Sequence, residues 1–63
     1  MKVREVIKII EQDGWFLVRT KGDHRQYKHP EKIARVTISG NLGREMPPGT
    51  YNSVLKQAGL KGK

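Results

Sequence analysis

Two apolar stripes, one near each end of the chain, constrain the fold most strongly. The first stripe consists of Val3, Val6, Ile7 and Ile10, and the second of Tyr51, Val54, Leu55 and Ala58. Both follow the spacing i, i+3, i+4, i+7, which places apolar side chains on one face of an α-helix. Gly14 and Gly59 follow the stripes in position for a left-handed C-cap. The pattern therefore predicts a helix at each end, the second entered through Pro47 and Pro48.

Three strand-like segments fill the interval between the predicted helices. They cover residues 15–20, 24–29 and 33–39, with a short turn over residues 21–23 and a loop over 40–43. The third segment alternates Ala34, Val36 and Ile38 with polar residues, which is typical of a strand buried on one face. Short connections favour an antiparallel meander, and two amphipathic helices would cover one face of the sheet. We predict one α+β domain over residues 1–63, α-β-β-β-α, with the other sheet face open to solvent.

The charge balance indicates the kind of partner. The 63 residues include 13 Lys and Arg against 6 Asp and Glu, a formal net charge of +7, and no cysteine. Such an excess on a small domain favours a polyanion as partner, although it is also compatible with a role in solubility alone. Disulfides and thiolate metal sites are excluded, and no apolar run approaches the roughly 20 residues of a membrane span. We expect a soluble cytoplasmic protein.

The densest basic stretch covers residues 19–35 and falls on the predicted strands. Its cations are Arg19, Lys21, Arg25, Lys28, Lys32 and Arg35. Cations interleaved with an aromatic side chain on strands suit contact with RNA phosphates and some base stacking. Two alternatives remain open: lysines that merely protect a strand edge from aggregation, and a Tyr27 that anchors the core instead of stacking a base.

His24 and His29 are the only imidazoles in the chain. Their odd spacing of five residues places them on opposite faces of a regular strand, so they do not form an acid–base pair. His24 follows a glycine turn among cations, which is the better place for proton transfer, whereas His29 precedes Pro30 and looks structural. The alternative is that His24 is a surface residue without chemistry. Two histidines without cysteine do not make a metal site, and no cofactor is expected.

Several segments together resemble the HicA family of toxin ribonucleases. They are Gly-Trp at residues 14–15, VRTKGDHRQYKHP at 18–30, Pro-Gly-Thr at 48–50 and LKQAGL at 55–60. The resemblance implies a fold like that of double-stranded-RNA-binding domains, messenger RNA cleavage without the ribosome, and inhibition by a HicB-like antitoxin that covers the active surface. It maps the family's essential histidine onto His24, its preceding arginine onto Arg19 and its turn glycine onto Gly22. The chain departs from the family at Asp23, where Ser or Thr is usual, and at Arg25, where many members have a second histidine.

The leading hypothesis is a metal-independent endoribonuclease in which His24 assists attack of a ribose 2′-hydroxyl on the adjacent phosphate. Charge and position give the RNA contacts as Arg19, Lys21, Arg25 and Lys28, and the resemblance adds the turn glycine Gly22. Asp23 either orients the His24 ring or caps the turn. We expect a monomer when free and a hetero-oligomer with the antitoxin. Two alternatives are a non-catalytic RNA-binding module of the same fold, and a chain whose charge serves only an acidic protein partner.

Overall fold

The computed structural model of the chain describes residues 1–60. Its elements are α1 (Val3–Gln12), β1 (Phe16–Lys21), β2 (His24–Lys28), β3 (Val36–Ser39) and α2 (Pro48–Gln57). The strands form one antiparallel sheet in the order β1-β2-β3. The predicted α-β-β-β-α order is therefore confirmed. Within residues 1–60, no helix has both the length and the apolar character needed to cross a membrane.

The core lies between the two helices and one face of the sheet. Its buried residues are Val3, Val6, Ile7 and Ile10 from α1, Tyr27, Val36 and Ile38 from the strands, Val54 from α2, and Trp15, Met46 and Ala58. The first apolar stripe is fully confirmed, whereas Tyr51 and Leu55 of the second stripe are only partly buried. Tyr27 is 2% exposed and anchors the core, and its burial raises the pKa of the phenol.

Both helices end as the glycine positions predict. Gly14 has a φ of 108° and Gly59 a φ of 72°, values that an L-residue with a side chain rarely adopts. The amide of Trp15 then donates to the carbonyl of Ile10 over 3.2 Å, and that of Leu60 to Leu55 over 2.8 Å. These bonds satisfy carbonyls that the last helical turn leaves free. Trp15 therefore belongs to the helix cap, and β1 begins one residue later than predicted.

The start of α1 is capped by a distant loop, since no Ser, Thr, Asp or Asn precedes Val3. The amide of Val3 donates to the carbonyl of Arg44 over 2.9 Å, and the amide of Arg4 to the carbonyl of Leu42 over 3.0 Å. Amides at a helix N-terminus have no partner within the helix, so these carbonyls take the place of a capping side chain. The loop after β3 thereby fixes where α1 begins.

The third strand is shorter than predicted, and its expected first half is wrong. It begins at Val36 rather than at residue 33, Ala34 is exposed instead of lying on the core face, and Ile33 is exposed as well. The reason is the lack of a neighbour, because β2 ends at Lys28 and Pro30 has no amide hydrogen to extend the ladder. The pairing of the two strands therefore ends at Tyr27 and Val36.

A clasp of four side chains (Asp13, Trp15, His29 and Lys32) joins the C-terminal ends of both helices. The Lys32 ammonium donates to the Asp13 carboxylate over 2.5 Å and to the carbonyl of Ala58 over 2.8 Å. This hydrogen bond from Lys32 is the main cause that lowers the pKa of Asp13 below its ordinary value. Lysine thus bridges the cap of α1 and the cap of α2.

His29 is the most buried polar member of the clasp, with 6% of its side chain exposed. Its Nε2 lies 2.6 Å from the carbonyl oxygen of Asp13, and its Nδ1 accepts the backbone amide of Glu31 over 3.0 Å. Since an amide can only donate and a carbonyl can only accept, the ring is neutral with its proton on Nε2. The ring also packs edge-on against Trp15 at 5.3 Å between centroids. His29 is structural, as its place before Pro30 indicated.

Candidate functional site

The candidate site lies at the tip of the β1–β2 hairpin. Gly22 and Asp23 form a two-residue turn between the paired residues Lys21 and His24. Gly22 has a φ of 60°, and no residue other than glycine has a positive φ in the described chain, which matches a type II′ hairpin turn. The turn therefore fixes His24 as the first residue of β2, directly across from a lysine.

Strand alternation determines which side chains of β2 face solvent. Tyr27 is buried against the helices, so Arg25 shares its side and His24, Gln26 and Lys28 lie on the opposite, open face of the sheet. The His24 side chain is 65% exposed. The imidazole is therefore available to a large substrate that crosses this face.

The cations of β1 lie on this same open face, and a β-bulge at Val18 brings Phe16 onto it as well. Counted from the turn, where Lys21 pairs with His24, regular alternation already pairs Arg19 with Gln26 and puts both cations on the open face. The next pair is Leu17 with Tyr27, so Val18 has no partner. This extra residue reverses the alternation beyond it, so that Leu17 falls on the helix side and Phe16 on the open face.

One surface pocket gathers most of the predicted site. It is lined by Arg19, Lys21, Gly22, His24 and Gln26. The predicted RNA contact Lys28 lies on the same face, but at the other end of β2, where it pairs with Phe16. The structure thus brings together four of the six predicted site residues, with Lys28 further along the same surface.

Arg25 is the predicted site residue that lies elsewhere. Its guanidinium is on the helix side of β2 and donates to the carbonyl of Gly40 over 2.8 Å. The amide of Gly40 in turn donates to the carbonyl of Asp23 over 3.1 Å. Arg25 therefore ties the hairpin tip to the loop after β3, which is the loop that also caps α1.

Comparison with protein families finds a match over most of the chain. The profile described as the HicA toxin of bacterial toxin–antitoxin matches residues 3–60, nearly the whole chain. The chain belongs to the HicA toxin family. Membership supports a role as a toxin with an antitoxin as its partner. No curated protein matches the chain in sequence.

In this HicA toxin, the carboxylate of Asp23 stands beside the candidate histidine. The Oδ1 of Asp23 lies 3.5 Å from the Nε2 of His24, and both side chains are more than half exposed. Exposed pairs of this kind contribute at most about 1 kcal/mol, so the contact does not lock the ring in place. The backbone carbonyl of Asp23 accepts the amide of Gly40 and so ties the turn to the loop after β3.

The open face carries further side chains that the sequence did not single out. Across the sheet, Ser39 pairs with His24 and Thr37 with Gln26. Strand alternation could have placed Gln26 beside His24, because residues i and i+2 share a face. The pairing of Arg19 with Gln26 follows in the same way from the two-residue turn, whereas the position of Phe16 on this face depends on the bulge.

The donor set of the site is poor in metal ligands. Within residues 1–60, no three His, Asp or Glu side chains come close enough together to hold a metal ion. His24 and Asp23 are the pair of potential ligands at the hairpin tip. The chemistry that this arrangement offers is proton transfer by an imidazole next to fixed positive charge.

Proposed function

We propose that this HicA toxin is an endoribonuclease that cleaves messenger RNA with His24 as its catalytic group. The observation that carries the proposal is the exposed His24 imidazole in one pocket with Arg19 and Lys21. An RNA strand has a negative phosphate at each link, and the open face presents cations that no element within residues 1–60 covers. Family membership supports the toxic outcome, and cleavage of RNA is one direct way to reach it.

The proposed reaction needs only the ribose and one proton acceptor. His24 takes the proton of the 2′-hydroxyl, and the 2′-oxygen attacks the adjacent phosphorus. The bond from phosphorus to the 5′-oxygen of the next nucleotide breaks, and water supplies the proton that this oxygen needs. The hydroxide that remains takes the proton back from His24. The products are a 2′,3′-cyclic phosphate and a 5′-hydroxyl end. Histidine suits the step because its side chain exchanges protons near neutral pH.

The cations of β1 would stabilise the phosphate during the reaction. Arg19 and Lys21 flank the pocket, where their charge offsets the negative charge that gathers on the phosphate oxygens. The Gly22 turn lets the backbone approach the substrate closely, since no side chain stands there. Lys28 would hold a phosphate further along the face. Arg25 is assigned to the scaffold, because its guanidinium is engaged by Gly40.

We further propose that a HicB-like antitoxin inhibits the toxin by covering this open face. The cations on the face would attract an acidic surface and speed the encounter. Binding would also stabilise this small domain, because a partner that binds only the folded state shifts the folding equilibrium. The free toxin would be a monomer and the inhibited form a hetero-oligomer.

The test uses two forms of one short RNA, incubated with purified protein in excess chelator. The first form is all ribose, and the second has a single 2′-deoxy sugar at the cleaved position. We expect cleavage of the first form alone, with a cyclic phosphate detected on the product by mass spectrometry. Cleavage of the 2′-deoxy form, or a requirement for added metal, would contradict the proposed mechanism.

The nearest competing function is RNA binding without cleavage, which the carboxylate of Asp23 in contact range of His24 favours. A negative charge at this position repels the phosphate that the reaction must bring to the ring. This alternative predicts salt-sensitive RNA binding, intact RNA and no growth arrest on expression. Asp23→Ser separates the two functions. If the wild type only binds RNA, cleavage should appear in the variant alone, whereas if the wild type is a nuclease, the variant should cleave the same RNA faster.

A further inference from the structure

The open face also carries an exposed aromatic ring away from His24. Phe16 is 47% exposed and pairs across the hairpin with Lys28, so both side chains lie on the open face. The hairpin's other aromatic residue, Tyr27, is 2% exposed and belongs to the core. The aromatic side chain that this surface offers to a ligand is therefore Phe16.

We propose that Phe16 and Lys28 form a subsite that stacks one base of single-stranded RNA and holds its phosphate. The proposal rests on the proposed function, since it treats RNA as the ligand of the open face. Stacking on an aromatic ring next to a cation is the usual way in which proteins hold unpaired bases, and it tolerates any base. A base within a duplex is already stacked, so the subsite favours single strands.

The position of the subsite sets the distance between the stacked base and the cleaved position. Lys28 lies four residues along β2 from His24, which corresponds to about 13 Å on an extended strand. Arg19 and Gln26 pair between these two positions. The stacked base therefore flanks the cleaved position, and its contribution goes to binding rather than to the chemical step.

The exposed apolar residues of β1 fit RNA better than an added protein strand. Val18 forms the bulge, and a bulge in an edge strand interrupts the regular row of backbone groups that strand addition requires. Phe16 lies on the face that carries Arg19 and Lys21, where a polyanion would bind. Leu17 is equally exposed, at 48%, but points to the helix side. It therefore provides a matched control on the same strand.

The test measures binding of a labelled uridine oligomer by fluorescence anisotropy, with all variants built on His24→Ala to prevent cleavage. We expect Phe16→Ala to weaken binding by about fivefold or more, the usual loss of one stacked base. Leu17→Ala is expected to leave the affinity within about twofold. Equal effects of the two changes, or none from Phe16→Ala, would overturn the subsite. Phe16→Trp should retain the affinity and Phe16→Leu should lose it, which separates stacking from general apolar contact.

Salt dependence tests the two halves of the subsite separately. Phe16→Ala should leave the slope of log Kd against log salt unchanged, whereas Lys28→Ala should reduce it by about 0.7, the value for one phosphate contact on a single strand. Equal slopes in the parent and Lys28→Ala would overturn the role of Lys28. Wild-type protein that binds through Phe16 but leaves RNA intact would contradict the proposed nuclease and not the subsite.

Discussion

The two histidines of this chain lie five residues apart and in opposite surroundings. His24 is 65% exposed at the hairpin tip, next to an equally accessible carboxylate. His29 is 6% exposed in the clasp, where both ring nitrogens have backbone partners. A ring whose two nitrogens are engaged cannot exchange a proton with a substrate, whereas the ring of His24 can. The surroundings of each ring, and not the residue type, therefore make His24 a candidate for proton transfer and His29 a support of the fold.

The largest expected effect on stability comes from removing the clasp histidine. His29→Ala deletes the contact with Trp15 and two hydrogen bonds, so we expect a loss of about 3 kcal/mol in the free energy of unfolding. His24→Ala should change it by less than about 0.5 kcal/mol, as for an ordinary surface position. Urea unfolding of both variants measures the difference. Similar losses for the two would remove the distinction between the histidines.

Gly14 and Gly22 extend the comparison of the two histidines, with a smaller expected effect on the free energy of unfolding. A Cβ on Gly14 would lie 2.8 Å from the Nε2 of His29, at a φ of 108°, whereas a Cβ on Gly22 meets nothing within 4 Å. We expect Gly14→Ala to cost about 2 kcal/mol or more, from backbone strain and displacement of His29. Gly22→Ala should cost about 1 kcal/mol, from strain alone. Equal costs in thermal or urea unfolding would mean that His29 does not depend on Gly14.

Arg19 and Arg25 differ in the same way as the two histidines, since Arg19 lines the pocket and Arg25 supports the fold. Arg25→Ala removes the bond to the Gly40 carbonyl, and we expect a loss of about 1 kcal/mol in stability. Arg19→Ala should leave stability unchanged but weaken RNA binding and cleavage, because its guanidinium faces the pocket. Paired unfolding and RNA assays compare them. Loss of RNA affinity in Arg25→Ala that exceeds the loss in Arg19→Ala would contradict the assignment of faces.

The smallest expected effect is the acid sensitivity of the clasp. The hydrogen bond from Lys32 lowers the pKa of Asp13 below its ordinary value of 3.8, so the folded state favours the ionised carboxyl. This stabilisation is present above the pKa of the unfolded chain and is lost as the pH falls through the lower folded pKa. Unfolding measured from pH 7 to pH 2 should show a steeper acid loss for the wild type than for Asp13→Asn. Parallel curves would contradict the contribution of this pair.

Much of the fold follows from local patterns in the sequence. The i, i+3, i+4, i+7 spacing predicted both helices and the buried face of α1, and Gly14 and Gly59 predicted where the helices end. The glycine turn predicted His24 at the hairpin tip, and the two rings are apart as expected, although His29 lies beyond the end of β2 rather than on its other face. These features depend on neighbours within one turn of helix or a few residues of strand, which a sequence displays directly.

The remainder depends on partners that are distant in the chain. The carbonyls of residues 42 and 44 cap α1, and nothing near Val3 indicates them. The third strand begins at Val36 because β2 ends at Lys28, although Ala34 continues the apolar alternation of Val36 and Ile38. The bulge at Val18 arises from the pairing of β1 with β2, so strand parity counted from the turn groups Arg19 with Lys21 but leaves Phe16 on the face opposite these cations.

The most direct measurement of the central claim is the cleavage rate of one messenger RNA, in chelator, by the wild type and by His24→Ala. We expect the substitution to reduce the rate by about 10²- to 10⁴-fold, the usual contribution of a general acid or base. The unfolding curve of the variant should match that of the wild type. RNA cleavage by folded His24→Ala at the wild-type rate would contradict the assignment of catalysis to this exposed imidazole.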